Sequence, residues 1–394
     1  MNYSYIKSCN DMEAMRKVQT LTFLYALVPY FHGGPHIHFF VFKHLKFGFR
    51  IRTLWKEYLE GTFKLNFKVN DSPRFVTYTN PGLNYFHDYD RNGSPDLVRL
   101  MLYSVNAETF ADRYPGLQED GEMCSYIYWD KLLHDRTSFV ASTEFTFSRT
   151  MYDETVAKWP LNVKVSFGGM GSTSIQTRLQ ICTQHSSEPV ITKVLKLVTV
   201  DRQTRRPMAL PDWYKKKLQG KDDKMPDFKF TGFKRPLRTY ARRVQIVWSD
   251  TDSNNHTNFS SYVQFGLDTL RLALLQRDLS TCQKTESPNQ AHNVIDTEGT
   301  KTKTLTEMVS AANCNCDVQS NVSAIPWMTK DLLTNGVKNL KICYMRESVE
   351  GDMLDIHIWQ EPGEEFKVRG SIEALDGKAI CQYIIEYFTP TAHL

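Results

Sequence analysis

Asp252, Asn254 and His256 stand at alternate positions in one polar loop, Trp248-Ser-Asp250-Thr-Asp252-Ser-Asn254-Asn-His256-Thr-Asn258. A helical pattern follows, with Phe259, Tyr262, Val263, Leu267, Leu270, Ala273 and Leu274 at steps of three and four. A helix start carries unpaired N–H groups and the positive end of the helix dipole. Such a place can hold a developing oxyanion, with Asn and His side chains as added donors or orienters. Two other readings fit the same residues. Asp252 and Asn254 could simply make Asx-turns and caps. Asp-x-Asp-x-x-x-His could also supply three metal ligands, although no second ligand cluster is obvious in the sequence.

The elements that must position this loop occur twice. Asp88-Tyr-Asp90-Arg-Asn92-Gly-Ser94 aligns with Asp250-Thr-Asp252-Ser-Asn254-Asn-His256 at a constant offset, 252 − 90 = 162. Each loop follows a strand-like run and precedes a helical stretch, Leu97 to Phe110 in the first copy. Runs rich in β-formers come next: 139–147, 163–167, 174–181 and 190–200, then 337–344, 353–360, 366–375 and 380–388. One long helix against a bent antiparallel sheet is a stable α+β solution, and the period is far too long for a solenoid. The sequence therefore predicts a duplication. It divides into an extension at 1–60, a first unit at 61–213, a charged linker at 214–237 and a second unit at 238–394. The second unit carries an irregular insertion at 278–334. The linker reads as solvated and mobile, since its acids and lysines alternate without apolar periodicity.

Composition narrows the function classes. The chain has 394 residues and a formal net charge of +4, from 48 Lys and Arg against 44 Asp and Glu. That balance argues against a strong field for nucleic acid. Hydrophobic residues at 41% and charged residues at 23% describe a globular protein, not a disordered one. The eight cysteines are irregularly spaced, and Cys314-Asn-Cys316 alone does not make a zinc site, so reduced thiols are expected. The histidines at 32, 36 and 38 lack an accompanying acid or thiol. The run 36–55 reads as a basic, aromatic amphipathic helix. It would either touch a membrane surface or pack on the domain with its lysines solvated. A cytoplasmic protein is the default expectation, and Ala392-His393-Leu394 resembles a weak variant of the peroxisomal address. Gly168-Gly-Met-Gly-Ser-Thr-Ser174 lacks the Lys and the following helix of a phosphate loop, and reads as a bulged strand or tight turn.

The segment 248–262 resembles the signature of hotdog-fold thioesterases, closest to the Asp-x-Asp-x-Asn-x-His-x-Asn segment of acyl-ACP thioesterases. Leu340-Lys-Ile-Cys-Tyr344-Met-Arg346-Glu347-Ser348 resembles the Tyr-Arg-Arg-Glu-Cys strand of that family. Residues 198–211 resemble the closing strand and turn of a hotdog unit of the 4-hydroxybenzoyl-CoA thioesterase type. The resemblance spans roughly 60–390. It implies two tandem hotdog domains, each a central helix wrapped by a curved sheet, forming an internal pseudo-dimer to which further homo-oligomerisation could be added. It implies catalysis in the second hotdog by Asp252, Asn254, His256 and Glu347, with no cofactor and no metal. The substrate would be a fatty acyl thioester of CoA or acyl carrier protein. Glu347 would activate water, Asn254 and His256 would position water and thioester, and Asp252 would order the loop. Ser348 stands where the family has Cys, which disfavours a cysteine nucleophile. In the first copy Ser94 replaces the His, and matching 163–170 to 340–347 puts Met170 at the Glu position. Two other functions stay open: a catalytically weak double hotdog that binds acyl thioesters or acts as a scaffold, and a dehydratase.

Overall fold

The structure is a computed structural model. It describes residues 65–390 except 114–115, 118–122, 226–227, 253 and 286–320. The expected helix at 36–55, most of the 278–334 insertion and the C-terminal tripeptide lie outside the described residues.

In chain order the elements are β1 (Lys68–Asn70), β2 (Phe75–Asn80), α1 (Leu97–Arg113), the two-residue strands β3 (Gly116–Leu117) and β4 (Met123–Cys124), then β5 (Arg136–Phe147), β6 (Leu161–Met170), β7 (Ser174–Thr183) and β8 (Pro189–Asp201). There follow β9 (Tyr240–Gln245), α2 (Phe259–Thr285), β10 (Val337–Tyr344), β11 (Met353–Trp359), β12 (Lys367–Ala374) and β13 (Ala379–Tyr387). Alternation makes the strands: β8 reads Pro-Val-Ile-Thr-Lys-Val-Leu-Lys-Leu-Val-Thr-Val-Asp, and burial alternates along most of it. Aside from the β3–β4 hairpin, all strands among the described residues join one antiparallel sheet. Its order is β1-β2-β6-β7-β8-β5-β10-β13-β12-β11-β9.

That order reads the same from both ends. The strand before each helix, β2 or β9, lies outermost in its half, apart from the three residues of β1. The first long strand after each helix, β5 or β10, lies at the centre, and the two pair antiparallel from Asn339 opposite Thr146 to Cys343 opposite Ser142. Both helices bury one face against the sheet, including Leu100, Met101, Ala107 and Ala111 of α1 and Val263, Leu270, Ala273 and Leu274 of α2. The α+β arrangement of two tandem hotdogs is the fold observed.

One strand correspondence differs from expectation. The counterpart of the 337–344 strand is β5, not β6. Ser148 N donates to Val190 O (3.0 Å) and Met345 N to Ile380 O (2.8 Å), and both acceptors are the second residues of equivalent strands, β8 and β13. Counting from that shared bond puts Thr150, not Met170, at the position of Glu347. Apolar alternation is alike in all these strands, so sequence pattern alone could not order them.

The 214–237 segment is docked, not solvated. Tyr214 and Leu218 are fully buried, and Phe228 nearly so. Lys221 Nζ reaches Asp71 (2.6 Å), Asp223 pairs with Arg178 (2.6 Å), and Gln382 bonds both Phe233 N (3.1 Å) and Phe233 O (2.7 Å). A few well-spaced apolar anchors and ion pairs hold a stretch whose overall charge suggested solvent.

Packing in the second hotdog closes around Tyr383. Its ring lies against Gly266 of α2 and Gly370 of β12, and a Cβ on Gly370 would fall 1.9 Å from Tyr383 Cζ. A buried ring offers no flexible end to move aside. Gly370→Ala should therefore destabilise the protein by about 1–3 kcal/mol or more. A urea titration checks this, and an unchanged midpoint would contradict it.

The first hotdog buries charge where the second is apolar. Glu108 and Asp112 lie on the buried side of α1, Lys193 of β8 pairs with Glu108, and the Thr177 hydroxyl also donates to Glu108. Their counterparts in the second copy are Leu270, Leu274 and Tyr383. Asp112 Oδ1 has no hydrogen-bond partner. Burial, and after it the Glu108 charge, pushes the Asp112 carboxyl well above the ordinary carboxylate range.

Candidate functional site

The loop ahead of α2 is built by short-range hydrogen bonds. Asp252 Oδ1 accepts from Asn254 N (2.8 Å) and His256 N (3.3 Å), and Asp252 N donates to His256 O (2.7 Å). Asn255 takes the left-handed conformation at φ +59°, which Asn tolerates better than most residues. Asn258 N donates to Asp250 O (2.7 Å), and Asn258 Oδ1 caps the helix by accepting from Ser260 N (3.1 Å).

The first copy repeats this bonding at the 162-residue offset. Asp90 Oδ1 accepts from Asn92 N (2.8 Å) and Ser94 N (3.0 Å), and Asp90 N donates to Ser94 O (2.7 Å). Gly93 has φ +80°, Asp96 N donates to Asp88 O (2.9 Å), and Asp96 Oδ1 caps α1 through Arg99 N (3.0 Å). The Asx-turn reading is therefore correct for Asp252: the same bonds form in a copy that lacks His. Asn254 is exposed, with its amide nitrogen 3.4 Å from Asp252 Oδ2. The two copies share the loop's backbone bonding and differ in one of its side chains, Ser94 against His256, and in what reaches it.

His256 and Glu347 come together. His256 Nε2 lies 3.4 Å from Glu347 Oε2, and His256 forms a bridge with Val349. The turn after β10 that carries Glu347 is tied down by its neighbour. Ser348 is buried, its oxygens receive Thr257 N (2.8 Å) and contact Thr257 Oγ1, and its hydroxyl bonds Tyr262 OH (2.9 Å). Burial pushes the Tyr262 phenol up to about 12, so it stays protonated as a partner for Ser348. Ser348 is thus an anchor between α2 and the Glu347 turn.

The first hotdog contributes two residues that sequence reading missed. Asp201 to Arg205 forms a hairpin turn, with Asp201 Oδ1 accepting from Gln203 N (3.0 Å) and Thr204 N (2.7 Å). Arg205 sits at φ +59°, a conformation that costs a non-glycine residue energy. Its Nη2 donates to Glu347 Oε1 at 2.6 Å and lies 3.3 and 3.4 Å from the His256 ring nitrogens. Its guanidinium stacks on Phe139 of β5, 4.2 Å from the ring centroid. The paired arginines 205 and 206 at a hairpin tip were the only available signal. Nothing along the chain links them to a carboxylate 142 residues away.

This arrangement can hold a carboxylate and an imidazole beside a capped helix start, which donates toward negative charge. Among the described residues no group of three His, Cys, Asp or Glu side chains converges as metal ligands.

No family model and no curated protein matches this sequence. Solved structures do match its fold. The 12:0-ACP thioesterase from Umbellularia californica superposes at TM-score 0.52 with 13% identity, over 80% of this chain and 97% of that one. A protein described as an oleoyl thioesterase from Lactobacillus plantarum superposes at 0.52 with 14% identity, over 80% and 97%. With the mirrored strand order and the repeated loop, these likenesses identify the chain as a tandem double-hotdog protein with the fold of acyl thioesterases.

Proposed function

We propose that the protein hydrolyses a fatty acyl thioester, carried on CoA or acyl carrier protein, at the second hotdog. One observation carries the reading: of two loops with the same backbone bonding, only one meets a His–Glu–Arg cluster. Glu347 accepts a proton from water as the water oxygen attacks the thioester carbonyl carbon. Asn254 and His256 position the water and the thioester, and the N-terminal turn of α2 stabilises the tetrahedral oxyanion. Collapse breaks the C–S bond, and the thiolate leaves with a proton, giving a free acid. Asp252 orders the loop, and Arg205 on its Phe139 platform holds Glu347.

One feature favours the alternative of an acyl-thioester binder without turnover. The 2.6 Å ion pair with Arg205 already occupies Glu347 Oε1, one of the two oxygens that could take a proton from water. Thiol release from a panel of acyl-CoAs and acyl-ACPs separates the two. Release from at least one chain length supports hydrolysis. Saturable binding without release from any member would establish the binder instead.

A further inference from the structure

The large apolar residues left in water are not scattered evenly. A turn between β2 and the first copy of the loop carries Tyr85 and Phe86 at its tip, 68% and 95% exposed. The Tyr85 ring meets Phe86 edge-on at 5.7 Å between centroids and lies 5.5 Å from Tyr89, so the tip is an aromatic knob. Trp159, 62% exposed, stands beside it: Leu83 N donates to Lys158 O (3.1 Å), and the Trp159 backbone abuts Gly82. Single exposed apolar residues are ordinary, but a cluster of aromatics is not. The lead-in to the second loop is exposed in the same way, at Val247 and Trp248.

What the knob can enter follows from how its polar groups are spent. Asn84 N donates to Asp88 Oδ2 (2.7 Å) and Phe86 N to Asn84 Oδ1 (2.9 Å). His87 N and Asp88 N both donate to Asn84 O (3.1 and 2.8 Å). Backbone groups bonded within the turn lose little on leaving water, whereas unbonded ones would oppose it. His87 Nδ1 lies 2.7 Å from the buried Asp88 carboxylate, and Asp90 is half-buried in its Asx-turn. The stretch 84–92 therefore exposes no carboxylate, and its exposed fixed charge is Arg91. Asp153 and Glu154 are exposed on the turn before Trp159, which disfavours an anionic surface. A protein partner also fits poorly. Three aromatic side chains offer roughly 450–750 Å², below the about 800 Å² that each partner gives a stable interface. Phe86 projects outward and lines no groove. Tyr and Trp beside a Phe are the side chains that settle at the headgroup level of a bilayer.

We infer that this tip docks the protein on a neutral lipid bilayer. Phe86 enters below the headgroups, and Tyr85 and Trp159 lie among them. Burial of apolar surface drives the contact, with little contribution from charge. The surface is separate from the His256–Glu347 cluster and does not depend on the proposed hydrolysis.

Co-sedimentation of the full chain with phosphatidylcholine vesicles tests this. The wild type should partition onto them, and the partition coefficient should hold within about twofold between about 0.05 and 0.5 M NaCl. Phe86→Ser should weaken partition by about tenfold or more, the factor for keeping one aromatic ring out of an apolar phase. Adding Tyr85→Ser should weaken it further, while Phe86→Trp should keep it. Both side chains are exposed, so folding is not at stake. Failure of the wild type to partition overturns the inference. Equal partition in the double variant overturns it too, since the contact would then lie elsewhere, as in the run 36–55. So does a steep loss with salt, which marks a charged surface, or a wild-type dimer that Phe86→Ser dissociates, which makes the tip an interface between copies.

Discussion

Glu347→Gln should lower kcat for thioester hydrolysis by about 10²–10⁴-fold, the span expected when a general base is removed. KM should stay within a few-fold, because the lost interaction belongs to the transition state. The amide keeps the size of the side chain and can still meet Arg205, so folding should survive. Arg205→Ala tests the other end of the pair. It touches Glu347 and His256 but belongs to the first hotdog. We expect kcat to fall by about tenfold, again with little change in KM, as a positioning loss requires. Arg205→Lys should recover part of that loss, since an ammonium can reach the carboxylate but cannot stack as a flat fork on Phe139. Undiminished kcat in Glu347→Gln would remove the base from the mechanism. Undiminished kcat in Arg205→Ala alone would leave the base and remove its clamp.

The second large effect is on stability, and two neighbouring carboxylates should respond with opposite signs. Asp112→Leu installs the residue that the sister copy has at Leu274 and removes a buried oxygen with no partner. Stability near neutral pH should rise by about 1–3 kcal/mol. The gain depends on pH. Asp112 has a folded-state pKa raised above its unfolded value, with burial the main cause. Its contribution is therefore fully present below the unfolded value, about 3.9, and is lost as pH climbs through the raised folded value. The advantage of Asp112→Leu should be smallest below pH 4 and should grow as pH rises. Glu108→Leu should do the reverse. It strands Lys193, which is 1% exposed, without its counter-charge, and should cost about 3–5 kcal/mol. Urea titrations of both variants from pH 4 to 8 decide it; a uniform loss for Asp112→Leu would mean that its carboxylate is stabilised after all.

The repeat was legible because polar loops ahead of helices are under tight local constraint. Asp90 and Asp252 each satisfy two backbone N–H groups, so residue types and spacing survived where the strands diverged. The helix faces were legible too. Tyr262, Val263, Leu267, Leu270, Ala273 and Leu274 are all buried as their spacing demands. Which strand answers which was not legible, since register and order live in hydrogen bonds between distant segments. The docking of 214–237 was hidden for a related reason: five anchoring side chains, Tyr214, Leu218, Lys221, Asp223 and Phe228, carry it, and they are too few to leave a period. The site was half legible. Asp252, Asn254 and His256 announce a loop, but Glu347 alone reads as a solvated strand carboxylate, and only the likeness of its flanking residues to a known family singled it out. Arg205 had no such help.

An assembly of two identical subunits must accept every substitution twice, once at each related site. The continuous sheet, with β5 hydrogen-bonded to β10 in one chain, lifts that restriction. Phe139 can be large beneath one arginine while Gly336 stays bare on the opposite side, and neither change is imposed on the other. Fusion of the copies thus turned a symmetry into a freedom: each loop could acquire neighbours that its twin does not share.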